Sequence, residues 1–157
     1  MVSVTAKPST LREAKALGRI LLPPHTFDLL QNNQVHTLKG NVLTVAQIAG
    51  IQAAKSTSQL IPLCHPLLLG MIDVKLWLCK ERRSVECEAT VQTTGKTGVE
   101  MEALTATSVA LLTVYDMCKA SSKEMTIEGI QVIEKKGGKS GHWKATRFPA
   151  AEEGKSV

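Results

Sequence analysis

The chain has 157 residues, 43% of them apolar, and its 19 Lys and Arg against 14 Asp and Glu leave a formal charge of +5. That length suits one domain and leaves no room for a second of full size. With only two Trp, two Phe and one Tyr, the core must be aliphatic, stacking platforms for nucleic acid are scarce, and a phosphorylated small molecule is the better anionic partner.

In chain order, Thr10 followed by Glu13 reads as a capping box, and Leu11, Ala14, Leu17 and Ile20 make one helical stripe, so a helix is expected over 10–19. Pro23-Pro24 should end it. A short helix over 25–31 then runs into a polar turn at Gln31-Asn32-Asn33-Gln34. Asn41 is an acceptable N-cap for an Ala-rich helix over 42–54. Residues 71–79 and 85–92 alternate apolar with polar and read as a hairpin turning at Lys80-Glu81-Arg82-Arg83.

The stretch 99–120 lacks Gly and Pro and is apolar or small nearly all round, which predicts a helix covered on several sides. Residues 125–134 read as a last strand, with Gly129 marking a bulge or bend. This order predicts an α+β domain over 1–143, with helices on one face of an antiparallel sheet, and ferredoxin-like topology is the simplest arrangement. Lys144 to Val157 lack periodicity and are expected to form a flexible tail.

Cys64, Cys79, Cys87 and Cys118 form no CxxC pair, and three of them lie in apolar runs, which suits a reducing compartment. No apolar run approaches the roughly 18 residues of a membrane span. A cytoplasmic location is expected, with the mitochondrial matrix as the alternative, and neither nucleic acid nor membrane is an expected partner.

Ionisable groups set among apolar residues are costly unless paired or used. On a helical wheel Glu102, Asp116 and Lys119 fall on one side of the long helix, and Asp116 and Lys119 are direct i, i+3 neighbours. A surface ion pair is the plain interpretation; a sheltered pair that readies a lysine for proton transfer is the sharper one. His65, flanked by Cys64 and Pro66, reads either as a hydrogen-bonded core residue or as a site residue. No CxxC or HxxxH completes a tetrahedral set, so zinc is not expected.

Thr94-Gly95-Lys96-Thr97-Gly98 and Gly137-Gly138-Lys139-Ser140-Gly141 imitate half of a phosphate loop. Thr90 and Ile133 stand where the full pattern needs glycine, so neither is a Walker loop. The first lies between a strand and a helix, where backbone N–H groups favour an anion; the second mixes glycines with Lys135, Lys136 and Lys139. Solvated basic loops are the alternative for each.

These segments, together with Ala46-Gln47-Ile48-Ala49-Gly50-Ile51-Gln52-Ala53-Ala54-Lys55, Leu60-Ile61-Pro62-Leu63-Cys64-His65-Pro66-Leu67, Gly98-Val99-Glu100-Met101-Glu102-Ala103-Leu104-Thr105 and Tyr115-Asp116-Met117-Cys118-Lys119-Ala120, closely resemble the cyclic pyranopterin monophosphate synthase family, the MoaC proteins of molybdenum cofactor biosynthesis. The resemblance runs from Met1 to about Trp143. It implies a phosphorus–oxygen lyase that acts on 3',8-cyclo-7,8-dihydro-GTP, supplied by a radical SAM enzyme, and releases pyrophosphate. It also implies a homohexamer, a trimer of dimers, with pockets between subunits.

By the same resemblance Asp116, Lys119 and Lys39 are the expected catalytic residues, and His65, Cys64, Glu100, Glu102, Lys135 and Met101 the expected substrate contacts. No cofactor is expected, with magnesium at the phosphates the open alternative. Ser3 and Asn41 stand where the family usually has acids. Asn41 can still cap a helix, so a local electrostatic change near Lys39 is expected rather than loss of function.

Overall fold

The computed structural model describes residues 1–32, 36–37 and 40–146. Strand β1 (Thr10–Leu21) is followed by helix α1 (Pro24–Gln31), the short strands β2 (His36–Thr37) and β3 (Gly40–Asn41), helix α2 (Val42–Lys55) and the single turn α3 (Thr57–Leu60). Then come β4 (Met71–Cys79), β5 (Ser84–Gly95), the long helix α4 (Glu100–Cys118), β6 (Thr126–Lys136) and β7 (Trp143–Lys144). Lys39, part of the polar turn after Gln31 and the tail from Arg147 onward lie outside the described residues.

The main sheet runs β4-β5-β1-β6-β7, antiparallel at every pairing. Setting aside the two-residue strands, this is a β-α-β-β-α-β chain with its first strand inside the sheet, the expected ferredoxin-like topology. Helices α2 and α4 pack against one face. The expected hairpin is present, and its turn places Arg83 at φ 50. Gly129, at φ 64, stands where the β1–β6 register slips between Leu17 and Arg19, as a bulge requires. At the far end Lys144, expected in the tail, pairs with Glu134 in β7.

The helix expected over 10–19 is instead the central strand β1. Leu11, Ala14, Leu17 and Ile20 satisfy a helical stripe, but Ala14, Ala16, Gly18 and Ile20 satisfy a period of two equally well. All four are buried on the helix side. On the opposite face Lys15 pairs with Glu88 at 3.5 Å, Arg19 with Glu86 at 3.6 Å and Glu13 with Lys136 at 2.8 Å. Long-range pairing on both edges outweighs the local helical signal, and Thr10 caps no helix. Pro23-Pro24 therefore ends nothing; Pro24 opens α1, where its missing N–H is harmless.

Asn41 does cap α2, its side chain accepting from the Thr44 N–H at 3.0 Å. Among the described residues the buried core is mainly aliphatic, with Phe27 its one aromatic side chain and Cys87, Met117, Cys118 and Met125 adding sulfur. Small residues let α2 and α4 approach closely: a Cβ on Gly50 would stand 3.0 Å from the Ala106 carbonyl oxygen and 3.3 Å from the Ala110 Cβ. Helix α4 is covered by the sheet and by α2, but its remaining side is open at Leu112 and Asp116. A smaller apolar cluster of Ala14, Ala16, Val91, Val99 and Ala103, with Leu67 and Leu69 against it, holds the first turn of α4 and the segment carrying His65 onto one end of the sheet.

Candidate active site

At that end β1 begins, while β5, β6 and the loop into α4 finish. Thr10 pairs with Gly95 and Ala14 with Lys135, which brings the two glycine-rich segments to the same edge. Arg12 joins them. Its Nε–H donates to the Gly95 carbonyl at 3.3 Å, and its guanidinium lies against Gly138, where a Cβ would collide with Nη1. Gly137, at φ 91, likewise has no room for a Cβ beside the Leu11 carbonyl. Two loops that are separate in sequence thus share one cationic contact.

Glu100, in the first turn of α4, accepts from Lys135 Nζ at 2.9 Å. Burial works against its charge, but the Lys135 hydrogen bond, its own backbone N–H and the fields of Lys135 and Arg12 hold the carboxyl below its usual range. Glu102, only two residues on, behaves oppositely. It is 4% exposed, and burial, with the Glu100 charge adding to it, pushes its carboxyl up against a backbone hydrogen bond that pulls down. Opposite shifts of this kind make Glu100 the stronger acid of the two carboxyls. The Cys64 thiol is pushed up by burial and by the Glu102 charge, so it is not a ready thiolate. Met101, between the two acids, is half-buried.

His65 is half-buried in the segment before β4, and its Nε2 lies 2.9 Å from the Val2 carbonyl oxygen. Asp116 and Lys119 are elsewhere. Lys119 Nζ lies 2.6 Å from Asp116 Oδ1 at the C-terminal end of α4, with both side chains about half exposed, 54% and 48%. The Asp116 hydrogen bond, with its charge, raises the Lys119 ammonium above its ordinary value and so favours its charged form. The wheel put Glu102 and Asp116 on one side of the helix, but fourteen residues of rise separate them by about 21 Å. Among the described residues, the expected site side chains of one chain form two groups, at opposite ends of α4.

Among the described residues no three His, Cys, Asp or Glu side chains are grouped so as to hold a metal ion. No described helix is long and apolar enough to cross a membrane.

Glycine loops joined at a cationic edge, with a partly buried Lys–Glu pair near a buried Glu whose carboxyl is pushed up, make an arrangement suited to a polyanion. The model of the MoaC family matches residues 1–138. The chain belongs to the MoaC family. A relative, the cyclic pyranopterin monophosphate synthase of Heliobacterium modesticaldum, is 56% identical over 143 residues, covering 91% of this chain and 89% of the relative.

For this MoaC-family chain, sequence reasoning missed Arg12, because a residue assigned to a helix surface has no reason to meet either loop. The signal that could have found it was the alternation of Glu13, Lys15 and Arg19 against Ala14, Ala16 and Gly18, which marks a strand and sends Arg12 to the sheet's end.

Proposed function

We propose that this chain is the lyase that converts 3',8-cyclo-7,8-dihydro-GTP to cyclic pyranopterin monophosphate in molybdenum cofactor biosynthesis. Besides family membership, one observation carries the reading: both glycine-rich loops close on Arg12 beside the Lys135–Glu100 pair. In the reaction a ribose-derived hydroxyl attacks the α-phosphorus. A new P–O bond forms, the bond to the bridging oxygen breaks, pyrophosphate leaves, and the hydroxyl proton passes to a base. Negative charge is distributed over several oxygens, which backbone N–H groups and fixed cations stabilise.

In this reading Lys39, Lys135 and the two loops hold the phosphates. Asp116 and Lys119 move protons during opening and re-closing of the guanine-derived ring, with Asp116 holding Lys119 in its charged form. His65 and Glu102 orient the substrate or relay protons, and Cys64, Glu100 and Met101 complete the wall. Incubation with the cyclised nucleotide should release pyrophosphate stoichiometrically with product. Absence of release would overturn the activity.

The same reading makes the site a shared one. A single chain cannot bring Asp116 and Lys119 to Glu102 along a rigid helix, but a second copy can bring its own C-terminal end of α4 there. Leu112, Ile48, Leu60, Leu63 and Leu68 are 57%, 61%, 56%, 71% and 95% exposed, apolar side chains that burial between subunits would cover. The arrangement we propose is a dimer, assembled three times into a hexamer. Co-assembly of Lys119→Ala with Glu102→Gln subunits should restore pyrophosphate release that neither variant shows alone. Failure of mixed assemblies to recover would overturn the shared site.

A further inference from the structure

Residues 1–9 form neither helix nor strand, yet two polar anchors hold them across the candidate site. Lys96 Nζ, in the first glycine-rich loop, donates to the Thr5 carbonyl at 2.7 Å, and His65 Nε2 meets the Val2 carbonyl at 2.9 Å. Between them the Ser3 hydroxyl bonds to Thr5 Oγ1 at 3.3 Å, and the Lys7 N–H to the Val4 carbonyl at 3.1 Å, folding the segment locally. Apolar burial is not what keeps it there, since Met1 and Val2 are 68% and 76% exposed.

The contact to His65 has a chemical consequence. A carbonyl oxygen can only accept, so Nε2 must carry the proton; in a neutral imidazole Nδ1 is then the acceptor. Groups that do proton chemistry are commonly fixed by such an outer hydrogen bond, which sets both tautomer and ring orientation.

We propose that residues 1–5 are a positioning strap whose Val2 carbonyl holds His65 as the Nε2–H tautomer and so presents Nδ1 to the substrate as an acceptor. The proposal rests on the reading of His65 as a residue of the substrate site. Val2 is a positioning residue: it acts through His65 and touches no substrate.

The test uses the full chain, a variant lacking residues 1–3, and Lys96→Met, which frees the strap at its other anchor. Nitrogen-15 spectra of the imidazoles, with His65 assigned by its loss in His65→Gln, should show protonated Nε2 and unprotonated Nδ1 in the full chain. In both strap variants the Nε2 proton should exchange faster with water, and kcat should fall by about tenfold with an unchanged melting temperature. An Nδ1–H tautomer in the full chain would overturn the strap, as would exchange and kcat unaltered, or kcat raised, in both variants. The spectra need no substrate, so a full chain that releases no pyrophosphate would fail the activity and not the strap.

Discussion

Lys135 Nζ stands 2.9 Å from Glu100 Oε1 and so ties the last residues of β6 to the first turn of α4. The pair is about one-third exposed, and its net worth to folding is at most about 1 kcal/mol. Its larger use is to hold a cation beside the Gly137–Gly141 loop. Lys135→Ala should therefore leave the melting temperature nearly unchanged and raise KM for the cyclised nucleotide by about tenfold, as loss of one charge-assisted contact to phosphate does. A lowered kcat at unchanged KM would contradict that role.

Lys119→Ala should lower pyrophosphate release to less than about one-hundredth of the parent rate, the usual scale for loss of a proton-transfer group. Lys119 projects into solvent at the end of α4 and supports no packing, so circular dichroism and the oligomeric state should be unaffected. Full activity in the purified variant would remove Lys119 from the chemistry.

Glu102→Gln should separate stability from activity. A carboxyl whose folded-state proton affinity is raised above its unfolded value disfavours folding once the pH exceeds the unfolded value, because the unfolded chain ionises more readily. Removing the charge should raise the melting temperature at neutral pH and leave it nearly unchanged well below pH 4. Turnover should fall sharply in the same protein. A lower melting temperature at neutral pH would show that the ionised form is favoured by its surroundings.

Several other carboxylates predict the opposite slope, among them Glu13, Glu100 and Glu134. Glu13 is held down by hydrogen bonds from Lys136 and Gln92, Glu134 by His142, and Glu100 by Lys135 despite burial. Each contributes stability that is present above the ordinary carboxylate value of about 4.5 and is lost as the pH falls through its lower folded value. Urea midpoints should therefore drop on acidification from about pH 4.5, and Lys136→Met, which removes the Glu13 partner, should make that drop shallower. An equal drop in the variant would assign acid sensitivity to other groups.

Gly50→Ala tests the helix contact under the site. Alanine gains roughly 1 kcal/mol of helix propensity over glycine, but a Cβ here stands 3.0 Å from the Ala106 carbonyl oxygen and 3.2 Å from Val74 Cγ1. Overpacking against backbone costs about 1–3 kcal/mol. A net loss of about 1 kcal/mol in a urea titration is expected, and a gain would mean that α2 can shift away from α4.

The sequence by itself determined most of the local structure: α2 behind its Asn41 cap, the hairpin of 71–79 and 85–92, the uninterrupted α4, a bulge or bend at Gly129 and the ferredoxin-like layering. It also carried the family, because long ordered runs of polar and glycine residues survive translation into any register. Tertiary structure decided what periodicity leaves ambiguous. Thr10–Leu21 fits two periods, and only pairing with β5 and β6, up to 123 residues away along the chain, selects the strand and delivers Arg12 to both loops.

Distance along a helix was equally illegible on a wheel, which records angle and discards rise. Glu102 and Asp116 share a side of α4, yet two turns of packing before and after Ala110 keep them at opposite ends. Whether such groups can meet depends on which surfaces another chain covers, and that is a property of tertiary and quaternary contacts, which no local pattern encodes.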